Sequence, residues 1–150
     1  MKRAFETEIE IPLPPSRAIR LFTPKGEEAW VPGWMPRYVE PVDGETVAGM
    51  VFETGEGEER TIWTCLEWSP ESGYAAYLRV VPGSRVSRVH VACRADGGKS
   101  SRVSVRYVHV AITPQGEAWL ERMTQEAFEA EIGAWQRHIL SASRPVGRPS

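Results

Sequence analysis

"TPQGEAWLERMTQEAFEAEIGAWQRHILSA", Thr113 to Ala142, is the stretch where the chain changes its period. Trp119, Leu120, Met123, Phe128, Ile132, Trp135 and Ile139 recur near the spacing of one helix face. Thr113 has an N-cap side chain, and Pro114 suits the first helical position. The spacing predicts one long amphipathic helix over the whole stretch. Immediately upstream the period is two. In "SRVSVRYVHVAI" (101–112), Val103, Val105, Tyr107, His109 and Ala111 share one face, while Arg102, Ser104 and Arg106 share the other. In "RVHVACRA" (88–95), Val89, Val91, Cys93 and Ala95 are expected inward and Arg88, His90 and Arg94 outward. These two runs flank "DGGKS" and read as a long hairpin with a glycine turn.

Working back toward the N-terminus, "YAAYLRVV" (74–81) and "RTIWTCLEW" (60–68) are rich in β-branched and aromatic residues and end at "PGS" and "SPESG". Tyr77, Arg79 and Val81 share one face. Val47 to Thr54 reads as a further strand after the turn signal "VDGE", with Phe52 pointing inward and Trp63 of the next run free to face either way. "AFETEIEI" (4–11) alternates Phe5, Thr7, Ile9 and Ile11 against three glutamates, a half-buried strand stopped by "PLPPS". A short helix through "SRAIRLF" (16–22) and a second turn opened by Thr23 and Pro24 follow it. The order is strand, two short helices, five strands and one long helix, an α+β plan with the helices segregated from an antiparallel sheet. A curved sheet gripping one helix leaves a hollow. Residues 1–142 are expected to form a single domain, with "SRPVGRPS" (143–150) a flexible tail.

Composition narrows the function classes. With 41% hydrophobic and 25% charged residues and a formal net charge of −2, neither disorder nor a general attraction to phosphates is expected, which argues against nucleic acid as partner. No apolar run has the length of a membrane span, and "MKRAFETEIEI" lacks the pattern of a secretory signal, so a cytoplasmic protein is expected. Cys65 and Cys93 stand in strand-like runs without metal-ligand spacing and read as buried free thiols, and His90, His109 and His138 are scattered. No metal, no cofactor, no phosphate loop and no nucleophile elbow is expected.

"LFTPKGEEAWVPGWMP" (21–36) spends two tryptophans, three prolines and two glycines on sixteen residues. Pro32 and Gly33 forbid an ordinary helix between Trp30 and Trp34, so a stiff bend fixes the indoles. This segment, with the "GMVFET" and "TIWT" strands and "YLRVVPG", resembles the START or birch-allergen-like (SRPBCC, polyketide cyclase/aromatase-like) superfamily over nearly the whole chain. The resemblance implies a helix-grip fold, in which a curved antiparallel sheet of about six or seven strands wraps a long C-terminal helix and encloses a cavity. Three uses of it are expected alternatives. The first is binding a small hydrophobic or amphipathic ligand without a cofactor, lined by Trp30, Trp34, Phe52, Trp63, Tyr77, Tyr107, His109, Phe128 and Trp135. The second is a cyclase- or aromatase-like enzyme, with His109 and Tyr107 as acid/base pair and Arg79 as anion or enolate partner. The third is a protein-interaction module of the chaperone-activator type. The apolar stripe of the C-terminal helix also leaves room for a homodimer.

Overall fold

A computed structural model describes residues 1–142; the expected tail at 143–150 lies outside the described residues. Seven strands form one antiparallel sheet: β1 (Lys2–Ile11), β2 (Arg37–Glu40), β3 (Val51–Thr54), β4 (Thr61–Ser69), β5 (Tyr74–Val81), β6 (Arg85–Ala95) and β7 (Ser101–Ala111). Their spatial order is β1-β7-β6-β5-β4-β3-β2. The first strand therefore closes back on the last, and the chain then meanders outward to β2. The hairpin of β6 and β7 runs the full length of both strands, from Arg85 opposite Ala111 to Ala95 opposite Ser101. It closes at Asp96, whose N–H donates to the Ser100 carbonyl at 2.9 Å.

Two details differ from the sequence reading. Residues 47–50 are a turn, with the Met50 N–H on the Val47 carbonyl at 3.1 Å; Gly49 and Met50 exchange backbone hydrogen bonds with Cys65, and the strand itself begins at Val51. The C-terminal helix is divided into α3 (Pro114–Arg122) and α4 (Gln125–Ala142). Met123 is extended (φ −74°, ψ 135°), and Thr124 starts a new helix by accepting the Ala127 N–H on its hydroxyl at 3.0 Å. A β-branched residue that can cap competes with continuation of the first helix, and the second cap wins. The break frees α3 to lie on β7 while the longer α4 crosses β1.

The core lies between the sheet's inner face and α4. Phe5 stacks on Phe128 at 5.7 Å, and Ile9, Ile11, Val103, Val105, Leu120, Ile132 and Ile139 are all buried around them. The inner faces expected of β6 and β7 are inward, except that Ala95 emerges at the sheet's end. Cys65 and Cys93 are buried free thiols on β4 and β6, with β5 between them. Between β1 and β2 run α1 (Pro15–Ala18), a 3-10 turn (Ile19–Phe22) and α2 (Pro24–Glu27), which plug one end of the sheet with Ile19 and Phe22. Among the described residues, no helix is long and apolar enough to cross a membrane.

Candidate functional site

The bend at Leu21–Pro36 is built from its own hydrogen bonds. Thr23 caps α2 by accepting the Gly26 N–H at 2.9 Å, with Pro24 at the first helical position. The helix ends after one turn, and Gly33 turns the chain at φ +72°. The Trp30 indole donates to the Leu21 carbonyl at 2.8 Å and the Trp34 indole to the Pro24 carbonyl at 2.9 Å. Both N–H groups are thus consumed inside the segment. What remains to offer a ligand is ring face.

The two indoles have different surroundings. Trp30 is buried against Phe22 and Trp135, with centroids 5.8 and 5.7 Å away. Trp34 is only partly buried and meets Trp63 edge-on at 5.8 Å, and Trp63 stacks on the fully buried Phe52 at 5.4 Å. The Trp63 N–H is held by the Thr54 hydroxyl at 2.9 Å. Register explains the grouping: Tyr38, Phe52, Trp63, Arg79, Ser87 and His109 are successive partners across β2 to β7, one row on the inner face.

Beside this row lies a cavity of about 780 Å³. Its sheet wall is Trp63, Arg79, Val81, Arg85 and Tyr107; the opposite wall is Trp119 from α3 with Glu131 and Trp135 from α4; Glu27, Val31 and Trp34 close one side. The lining continues onto Glu58, Glu59, Pro82 and Gly83, all exposed, and the cavity meets solvent there. The volume is of the size that holds one small organic molecule.

Of the residues singled out in the sequence, Trp34, Trp63, Arg79, Tyr107 and Trp135 therefore line the cavity. Phe52, Tyr77 and Phe128 are buried behind that lining. Tyr77 anchors the 3-10 turn through its hydroxyl on the Phe22 carbonyl at 2.9 Å. His109 is 2% exposed and sits one layer back, between Tyr107 at 5.6 Å and Trp119 at 5.2 Å. Its Nδ1 is 2.6 Å from the Ser87 hydroxyl, and its Nε2 is buried without a partner. Burial first, then the Arg79 and Arg85 charges, push its pKa down to about 4, so the imidazole is neutral at pH 7. Burial also holds the Tyr107 phenol well above its ordinary value, against the opposing pull of Arg79, so this hydroxyl is a proton donor and not a phenolate.

Glu27, Arg85, Trp119 and Glu131 were missed as cavity residues. Two of these had a legible signal: Arg85 has the parity of Val89 and Val91, and Glu131 interrupts the apolar stripe of Phe128 and Trp135. Arg85 lies over the Trp119 ring at 3.5 Å and Arg79 over Trp63 at 4.8 Å. Glu27 touches open cavity space but lies deep between the walls, and this desolvation raises its pKa to about 8 despite Arg79. An acid with a raised folded pKa binds its proton in the native state while the unfolded chain has lost it. That contribution is complete below about pH 4.5 and is lost as pH rises through 8. Because the side chain is partly solvated, we expect the wild type to lose about 2 kcal/mol relative to Glu27→Gln between pH 5 and pH 9. Urea unfolding of both proteins at those two pH values measures it; a constant difference would contradict the buried-acid assignment.

No family model matches the sequence, and no curated protein matches it. Solved structures do. Norcoclaurine synthase from Thalictrum flavum, in complex with dopamine and hydroxybenzaldehyde, is 12% identical over 97% of this chain and 90% of its own, with a TM-score of 0.65. The di-domain ARO/CYC BexL from the BE-7585A biosynthetic pathway is 17% identical over 95% of this chain and 48% of its own, with a TM-score of 0.71. Ara h 8.0201 is 16% identical over 94% of this chain and 99% of its own, with a TM-score of 0.60. The chain has the Bet v 1-like helix-grip fold. At these identities the likeness covers the backbone plan alone. Within the helix-grip frame, α4 is the gripped helix, and the cavity occupies the hollow between it and the outer half of the sheet.

Proposed function

We propose that this protein binds one small hydrophobic or amphipathic molecule in the cavity between Trp63 and Trp135. The observation that carries the reading is an open space of about 780 Å³ faced by Trp34, Trp63, Trp119 and Trp135, each only partly buried. Partly exposed indole faces are costly to leave in water and gain most from a flat apolar partner. A fold-level analogy supports it: the norcoclaurine synthase structure was solved in complex with two small aromatic compounds. The interaction-module alternative needs an interior filled by tryptophan side chains, and the open cavity weighs against it.

Titration of intrinsic tryptophan fluorescence with fatty acids, flavonoids and polyketide-like aromatics tests the proposal. At least one class is expected to quench saturably, and Trp34→Ala is expected to weaken that binding about tenfold, or 1.4 kcal/mol. No saturable signal from any class would overturn it.

A second reading, acid–base chemistry on the bound molecule, is favoured by the unpartnered Nε2 of a neutral His109 beside the Tyr107 phenol. In that reading Tyr107 or Arg79, which line the cavity, would face the developing enolate, and His109, one layer behind them, would take the proton only after Tyr107 or Trp119 moved aside. It predicts solvent-deuterium exchange into an enolisable ligand that His109→Gln abolishes while binding persists.

A further inference from the structure

We infer that the ligand carries an anionic group, a carboxylate or its equivalent, seated between the guanidinium groups of Arg79 and Arg85 with its apolar body against the tryptophan walls. The inference rests on the ligand-binding reading above and adds the chemical class. On the inner face Arg79 of β5 stands opposite Ser87 of β6, and Val81 stands opposite Arg85. The two arginines are therefore diagonal neighbours, roughly 7–8 Å apart along the sheet, with both side chains on the cavity wall.

Their surroundings differ from those of several arginines nearer the surface. Arg37, Arg60, Arg94 and Arg102 each sit against a carboxylate on the surface. Among the described residues Arg79 and Arg85 make no ion pair, although both are partly buried. The Nε of each is buried with no acceptor. A buried donor left without a partner costs about 1–3 kcal/mol, more when charged, and an anion arriving in the cavity would restore it. Each guanidinium rests on an indole, Arg79 on Trp63 and Arg85 on Trp119; one terminal N–H of Arg85 donates to the Ser84 hydroxyl at 3.1 Å, while the Nε of each guanidinium has no acceptor.

The charges nearby are consistent with this. Burial first, and then the neighbouring Arg79 charge, push the pKa of Arg85 down to about 10. The carboxyls that share the cavity, Glu27 and Glu131, are both pushed toward their neutral forms by desolvation, and Glu27 is mostly protonated at pH 7. Glu27 therefore does not neutralise the arginine wall as a full carboxylate would, and Glu131 is exposed, where solvent screens it. Glu58, Glu59 and Arg122 lie at the exposed mouth, where solvent screens them.

The test is isothermal titration calorimetry at pH 7 with 2-naphthoate and 2-naphthamide, which share size and shape and differ in charge. Wild-type protein is expected to bind the acid at least tenfold more tightly than the amide. Arg79→Gln and Arg85→Gln should each bring that ratio toward one, and Arg85→Lys should retain part of it, because the charge stays while the fork is lost. Thermal melts of the variants confirm folding; removal of one of two like charges is expected to leave the melting temperature at or above that of the wild type. If the amide binds as tightly as the acid, or if the preference survives in both glutamine variants, the anion seat is wrong and the cavity reading stands. If neither probe binds, the anion seat is overturned, and the cavity reading falls with it only if the fluorescence titration also finds no ligand.

Discussion

Gly26→Ala is expected to destabilise the protein by about 3 kcal/mol or more, although alanine is ordinarily the better helix residue by about 1 kcal/mol. A Cβ at this position would stand 2.1 Å from the Arg20 carbonyl oxygen and 2.9 Å from the Thr23 hydroxyl. Neither atom can move away cheaply. The Thr23 hydroxyl donates to that same carbonyl at 2.9 Å and accepts from the Gly26 N–H, so the three groups form one closed cap. Displacing it displaces α2 and, with it, the carbonyls that receive the Trp30 and Trp34 indoles. Gly33→Ala is the control: it has open space around the new methyl group but a φ of +72°, and is expected to cost only about 1 kcal/mol. Urea unfolding measures both. Equal small losses would mean that the cap is not tightly closed in solution.

Acidification from pH 7 to pH 4 is expected to remove about 3 kcal/mol of stability through His109 alone. Its folded pKa, about 4, lies below the ordinary 6.5, so between these values the unfolded chain binds a proton that the native state refuses. Stability from this group is therefore full above about pH 6.5 and falls as pH drops toward 4. The structural cause is a ring that is 2% exposed, flanked by Tyr107 and Trp119 and facing two arginine charges. His109→Gln can keep a hydrogen bond to Ser87 without titrating. The stability difference between wild type and this variant should narrow or reverse by about 3 kcal/mol across the interval; parallel pH profiles would show that His109 reaches solvent.

The outward arginines and inward valines of β6 and β7 were readable because a strand's period is two and only one face of this sheet is wet. The same rule placed Tyr107 and His109 inward, and applied four residues further up β6 from Val89 it would have found Arg85. It failed at Trp63, where the alternation is blurred by apolar residues on both parities, and pairing with Phe52 and Arg79 decided the matter. Helical spacing found the stripe of Phe128, Ile132 and Trp135. It overlooked Thr124, since a threonine within an apolar repeat looks like an ordinary helical residue until its hydroxyl is seen to cap.

By itself the sequence determined the α+β order of elements, the stiff bend that fixes Trp30 and Trp34, and the buried faces of β1, β6 and β7, because each depends on local sterics or on a short period. Only the tertiary structure decided that Trp30 fills the core while Trp34 faces a cavity, and that His109 lies a layer behind Tyr107. It also decided that Arg79 and Arg85 share a cavity with Glu27 and Glu131. Those residues come from β5, β6, α2 and α4. Their meeting is set by strand register and by the path of α4 over the sheet, which no window of neighbouring residues encodes.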